Sequence, residues 1–256
     1  MSEQPETQYE QAVAAVADRE YTAAGNAYAR AGWKLLAAPH HAQDPFDADE
    51  KGWVGKGMQR LLTSAICYRV AGQRERATHR STEVGAVAAD FQSILTNPVQ
   101  QACCKEIRAD ATLVGGLGDA TEAYNDTADA YREAGETIDD PQYWSTTPLF
   151  QAAATPLQQV ARSTANGEIA VSWEDLHGAD PTAPGRFLAH RATFKRQRFA
   201  SLLDSVIEEG YLAAPRGTTA YNNATYRCPA CESSDVNWVG NSILCLRCST
   251  ALKKQT

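Results

Sequence analysis

No apolar run in this sequence approaches the roughly 20 residues that a membrane-spanning helix needs, so no helical span is expected. The first residues, MSEQPETQYEQAV, lack a basic stretch followed by an apolar one, and no secretory signal is expected either. Phosphate-loop, metalloprotease-helix, nucleotide-fingerprint and Ser-His-Asp patterns are all missing. The stretch 115-GGLGDA-120 has neither the preceding strand nor the Gly-Lys-Ser/Thr ending of a phosphate cradle, and it reads as a break between helices. An enzyme is therefore not expected, and His177 and His190 are acid-base candidates by residue type only. Positive charge is not in excess: the net charge is −7, and lysine is scarce, with 7 against 17 arginines. Residues 1–140 carry 13 basic and 22 acidic side chains, a balance of −9, whereas 141–256 carry 11 and 9, a balance of +2. Two regions with different partners are expected from that asymmetry.

Seven cysteines are present, four of them in pairs. Cys228 and Cys231 form one Cys-x-x-Cys, Cys245 and Cys248 a second, with thirteen residues between them. Two intervening residues let a tight turn aim both sulfurs at one ion, and two such turns complete a tetrahedral thiolate shell. A catalytic zinc keeps three protein ligands and an open position, so this closed shell predicts a structural Zn²⁺, with a disulfide pair or another metal as alternatives. Residues 226–252 resemble a zinc ribbon. Cys67, Cys103 and Cys104 are expected to pack as small apolar side chains, and the cysteine usage suits a reducing cytoplasm.

Three segments, 23-AAGNAYARAG-32, 63-TSAICYRVAG-72 and 126-DTADAYREAG-135, share a Tyr-x-x-Ala-Gly ending at Tyr28, Tyr68 and Tyr131. Small residues before each tyrosine let a neighbouring helix approach, and glycine is expected to end each helix. The segment 73–95 continues with apolar residues at helical spacing until Asn97-Pro98. Over residues 6–140 this pattern resembles tetratricopeptide-like repeats of the SNAP-related kind, which implies a groove that binds a protein partner. An Ala-rich helical bundle without a groove is the alternative. His40, His41, Asp44, Asp47 and Asp49 match no calcium or zinc spacing, and they read as a solvated acidic loop. The alanine-rich, arginine-rich, acidic composition resembles that of haloarchaeal proteins.

Between these regions, 168-EIAVSW-173 is expected as a strand, 186–210 as a long helix ended by glycine, and 211–227 as two strands around a Pro-Arg-Gly turn. That order resembles a winged helix, with the wing at Arg216-Gly217. Arg191, Lys195, Arg196, Arg198 and Arg216 are the candidate nucleic-acid-binding residues, because basic groups with aromatic neighbours suit phosphate neutralisation and base stacking. Neutralisation inside the fold by Glu174, Asp175 and Asp180 is the alternative.

The expected fold class is mainly α. A helical-hairpin array (6–140) is followed by a small α/β winged-helix-like segment (141–225) and a β zinc ribbon (226–252). The expected function is that of a non-enzymatic adaptor, which binds protein through the repeats and DNA or RNA through the C-terminal half. A purely protein-binding scaffold with a structural zinc knob is the alternative.

Overall fold

The computed structural model describes residues 5–38 and 52–254; the acidic stretch with His40, His41, Asp44, Asp47 and Asp49 lies outside them. The fold is mainly α with a small C-terminal β region. Six helices pack consecutively: α1 (Pro5–Ala17), α2 (Tyr21–Ala37), α3 (Gly52–Val70), α4 (Arg74–Ile94), α5 (Pro98–Gly115) and α6 (Thr121–Gly135). Local chemistry accounts for the breaks. Gly72 and Gly116 adopt left-handed φ values of 72° and 62° after α3 and α5. Asn97 caps α5 through its side chain, which accepts from the Val99 and Gln100 amides, with Pro98 in the first turn. The break at 115–120 falls where expected.

Gly32 behaves otherwise. Expected to end a helix, it lies inside α2, which runs five residues further. A Cβ there would come within 2.9 Å of the Gly57 carbonyl oxygen and of Leu61. Close approach of α2 to α3, not chain reversal, is what requires glycine at this position. Tyr28, Tyr68 and Tyr131 are all buried, as their common pattern suggests.

Beyond α6 the chain continues through α7 (Pro141–Thr146), α8 (Pro148–Ser163), α9 (Trp173–Leu176) and α10 (Pro184–Glu209). α10 packs along α6, and α8 packs on α3. One hydrophobic cluster runs from Ala12 to Leu244, so no boundary near residue 140 divides the core. Among the described residues no helix is long and apolar enough to cross a membrane.

The winged-helix expectation fails at its first strand and at its wing. Residues 168–173 form no strand: Ile169 is 62% exposed, and Ser172 with Asp175 makes a capping box that starts α9. A capping box satisfies the first helical amides locally and competes with strand formation. The residues after α10 make no wing, because β1 (Thr218–Ala220) pairs antiparallel with β3 (Val236–Val239), which pairs antiparallel with β4 (Ser242–Cys245). β2 (Tyr226–Arg227) pairs with β5 (Lys253–Lys254). The ribbon sheet therefore begins at residue 218, earlier than expected.

The segment joining α10 to the ribbon is buried at Leu212, Ala213 and Ala214, and side chains satisfy its backbone. The amides of Leu212, Ala213 and Ala214 donate to Tyr21 Oη (3.0 Å), Ser163 Oγ (2.8 Å) and Ser249 Oγ (2.8 Å). The Ala213 and Ala214 carbonyls accept from Gln159 and Arg162. Buried backbone groups must be paired, and here helices α2 and α8 and the ribbon supply the partners. Gly167, at φ 80°, gives the ribbon room: a Cβ there would lie 1.7 Å from the Leu246 carbonyl oxygen.

Candidate metal centre and the buried basic row

The two Cys-x-x-Cys turns fold in the same way. The Glu232 amide donates to the Cys228 carbonyl and the Ser249 amide to the Cys245 carbonyl, both at 3.0 Å. The Cys228 amide donates to Ser233 and the Cys245 amide to Thr250, at 2.9 and 2.8 Å. Glu232 and Ser249, each following the second cysteine of its turn, share left-handed φ values of 60° and 63°. This repeated backbone points four sulfurs at one centre. Their Sγ atoms all lie within 4.8 Å of one another, with Cys228–Cys248 at 3.5 Å, Cys231–Cys245 at 3.6 Å and Cys231–Cys248 at 3.5 Å.

A disulfide requires about 2.05 Å, and all seven cysteines are free. A tetrahedron with metal–sulfur bonds of about 2.3 Å has edges of about 3.8 Å, close to the spacing here. The four residues fit a single metal ion with a closed thiolate shell. Cys228 and Cys245 are buried, so the centre is anchored in the ribbon's interior.

The basic row on α10 has a different fate from the one expected. Arg191 and Lys195 are 0% and 1% exposed, which removes both from any phosphate-binding face. Their carboxylate partners are on α5, not Glu174, Asp175 or Asp180. Glu106 accepts from Arg191 Nε and Nη2 at 2.7 Å, from Tyr131 Oη at 2.7 Å, and lies 2.8 Å from Lys195 Nζ. Asp110 is 2.5 Å from Lys195 Nζ and accepts from Tyr124 Oη at 2.8 Å. The remaining donors go to α8: Arg191 Nη1 to the Phe150 carbonyl at 2.6 Å and Lys195 Nζ to the Ala153 carbonyl at 2.9 Å. Pro156 lies inside α8, where its missing N–H disturbs the helical bonding of the preceding turn. The Arg191 guanidinium also lies 3.4 Å from the Phe150 ring centroid.

Four charges are thus buried together with matching geometry, since both the cations and the carboxylates are four residues apart on their helices. Burial opposes the Glu106 charge, but Arg191 and Lys195 outweigh it and hold that carboxyl down to about 2. Asp110 is pushed up to about 6, because burial and the Glu106 charge exceed the help from Lys195. That these two acids are buried was signalled in the sequence. Glu106 and Asp110 lie on the stripe of Val99, Cys103, Ile107 and Val114, so two acids sit on the apolar face of their helix.

The other three candidates are on the surface or near it. Arg196 is exposed and donates to Asn125 Oδ1 at 2.6 Å; Arg198 is exposed. Arg216 is half-buried against the Gly167 carbonyl, Thr219 Oγ1 and Tyr221 Oη. Asp175 serves the α9 cap, and Asp180 accepts from Thr182.

Cys67, Cys103 and Cys104 are buried as expected, and burial pushes all three thiols up, Cys103 to about 11. His177 is buried as well. It stacks on Trp173 at 3.7 Å between ring centroids, its Nδ1 is 2.9 Å from the Trp173 carbonyl, and its Nε2 meets no hydrogen-bond partner among the described residues. Burial pushes its imidazole down to about 4 from 6.5.

A depressed pKa means that the unfolded chain binds the proton first, so His177 contributes stability above about pH 6.5 that is lost as pH falls toward 4. His177→Phe keeps a stacked ring and removes the titration. The melting temperature of this variant, measured from pH 7 to pH 4, is expected to fall less than that of the unaltered chain; parallel curves would refute the assignment. No protein-family model, curated protein or solved structure matches this chain.

Proposed function

We propose that this chain is a non-enzymatic adaptor: the helical body receives a partner protein, and a structural Zn²⁺ folds the ribbon into a rigid knob. The closed four-sulfur shell carries this reading, since it leaves no ligand position for water or substrate. The groups most able to do chemistry are committed elsewhere. Glu106, Asp110, Arg191 and Lys195 neutralise one another in the core, and His177 and three thiols are buried. Zinc is the ion of choice because four thiolates in a tetrahedron suit it best. Bound there, it would be held by Cys228, Cys231, Cys245 and Cys248 and would supply folding energy.

The reading is tested by selecting displayed peptides on the full, zinc-loaded chain. Enrichment of peptides that bind at micromolar concentration and are lost on Trp33→Ala would support it, because Trp33 is an exposed aromatic on α2. No enrichment would refute it.

A second reading, nucleic-acid binding, is favoured by one observation. The β2–β5 pairing sets Arg227 opposite Lys253, beside Lys254, and all three side chains are exposed. Anisotropy of labelled duplex DNA and single-stranded RNA over a range of salt measures it. Affinity that falls with salt and vanishes in R227Q/K253Q/K254Q would establish this face, whereas no binding at low salt would remove it.

A further inference from the structure

A hollow lies over α2 and α4, in the opposite region of the chain from the ribbon. It has a volume of about 640 Å³, within the range of about 300–1,000 Å³ typical of ligand sites. Arg30, Lys34, Arg76 and Arg80 line it with Trp33 and Tyr68, and among the described residues no carboxylate lines it. That concentration of cations stands in the half of the chain whose balance is −9.

Two of the guanidinium groups are positioned without a carboxylate partner among the described residues. Arg30 Nε donates to Gln8 Oε1 at 2.5 Å. Arg76 donates to Asn26 Oδ1 (2.6 Å), Gln73 Oε1 (2.9 Å) and Tyr68 Oη (3.2 Å), and lies 4.3 Å over the Tyr68 ring. Each of these acceptors is uncharged. Arg80 differs, since it is ion-paired with Glu83, which also accepts from Trp33 Nε1 at 3.2 Å. Neutral acceptors fix the direction of a cation while leaving its charge available to an anion.

We propose that this groove binds an extended, acidic segment of the partner protein; the inference rests on the adaptor reading above and names the chemistry of what the adaptor receives. Spacing argues for an extended peptide. Arg30 and Lys34 on α2, and Arg76 and Arg80 on α4, are each four residues apart, which places them about 6 Å apart along their helices. Alternate side chains of an extended chain point the same way about 6.6 Å apart. Carboxylates at every second residue therefore match a helical row of cations, and the intervening side chains face the other way. Trp33, 38% exposed, offers a flat apolar surface to an aromatic or aliphatic residue of the same segment.

The test uses fluorescence polarisation with the zinc-loaded full chain and a labelled peptide with aspartate at alternate positions and one phenylalanine. Asparagine replaces aspartate in a second peptide, and inorganic phosphate and a single-stranded oligonucleotide serve as competitors. The aspartate peptide is expected to bind at least about tenfold more tightly than its asparagine analogue, and R30Q/K34Q/R76Q is expected to lose about the same factor. Binding should weaken as salt rises from about 0.05 to 0.5 M. If the triple variant melts below the unaltered chain, Lys34→Glu with a peptide carrying lysine opposite it serves instead, and restored affinity supports the proposal. Equal affinity for the two peptides would overturn the acidic class while leaving a peptide-binding adaptor standing. Binding of the oligonucleotide or phosphate alone would overturn both, and no binding by any probe would overturn the groove.

Discussion

Replacement of Cys245 by serine is expected to unfold the ribbon and to abolish stoichiometric metal binding. Cys245 is fully buried at the end of β4, and its sulfur is 3.6 Å from Cys231. The ribbon's own core is small: three strands of three or four residues, one two-stranded pair, and a few buried apolar side chains such as Val236, Val239 and Leu244. Structural zinc supplies about 10–16 kcal/mol in comparable small modules, as much as the whole stability of about 5–15 kcal/mol of an ordinary domain. Serine is a poor ligand, and three remaining thiolates leave the shell open.

The effect should not stop at the ribbon. Ser249, in the second turn, accepts the Ala214 amide and contacts Tyr211, and the same segment is tied to Tyr21 of α2. Loss of the turn therefore exposes buried amides after α10. Metal content by atomic absorption should fall to background, amide exchange at 211–214 should accelerate, and far-ultraviolet circular dichroism should keep most of its helical signal. A variant with full metal content and unchanged melting would refute the four-ligand site.

Replacement of Glu106 by leucine is expected to be the most damaging single change in the helical body. Glu106 faces both Arg191 and Lys195 and accepts from Tyr131. Without it Lys195 keeps Asp110, Arg191 is left with no carboxylate partner among the described residues, and Tyr131 loses its acceptor. Breaking a buried ion pair by removing one partner costs about 3–5 kcal/mol. For a chain of this size that lowers the melting temperature by roughly 10–15 °C.

The intact network is a different quantity from its broken form. Exchanging all four charges for apolar groups, E106L/D110L/R191M/K195M, removes the desolvation cost together with the attraction, and is expected to recover much of the loss. Thermal melting of both variants separates the two effects. A Glu106→Leu variant as stable as the unaltered chain would show that the charges do not depend on one another.

The four-cysteine site was legible in the sequence because its geometry is local. Two residues between sulfurs determine a turn, and the turn's own amides and carbonyls complete it. The ends of α3, α4, α5, α6 and α10 were legible for the same reason, through glycine, asparagine and proline acting within a few residues. Gly32 was misread because a glycine that ends a helix and one that admits a neighbouring helix have the same local pattern; only the presence of Gly57 and Leu61 opposite distinguishes them.

Which charges meet was a matter for the tertiary structure alone. Arg191 and Lys195 pair with Glu106 and Asp110 across 85 residues, and nothing near either pair in sequence specifies the other. The same holds for β1, which joins the ribbon through β3 rather than forming a hairpin with its successor. It holds also for the basic groove, whose Arg76 and Asn26 are brought together from 50 residues apart. A turn is decided by the few residues that form it. A buried ion pair, a strand partner or a groove is decided by which faces the whole chain can bury together, because desolvation penalises every unmatched alternative.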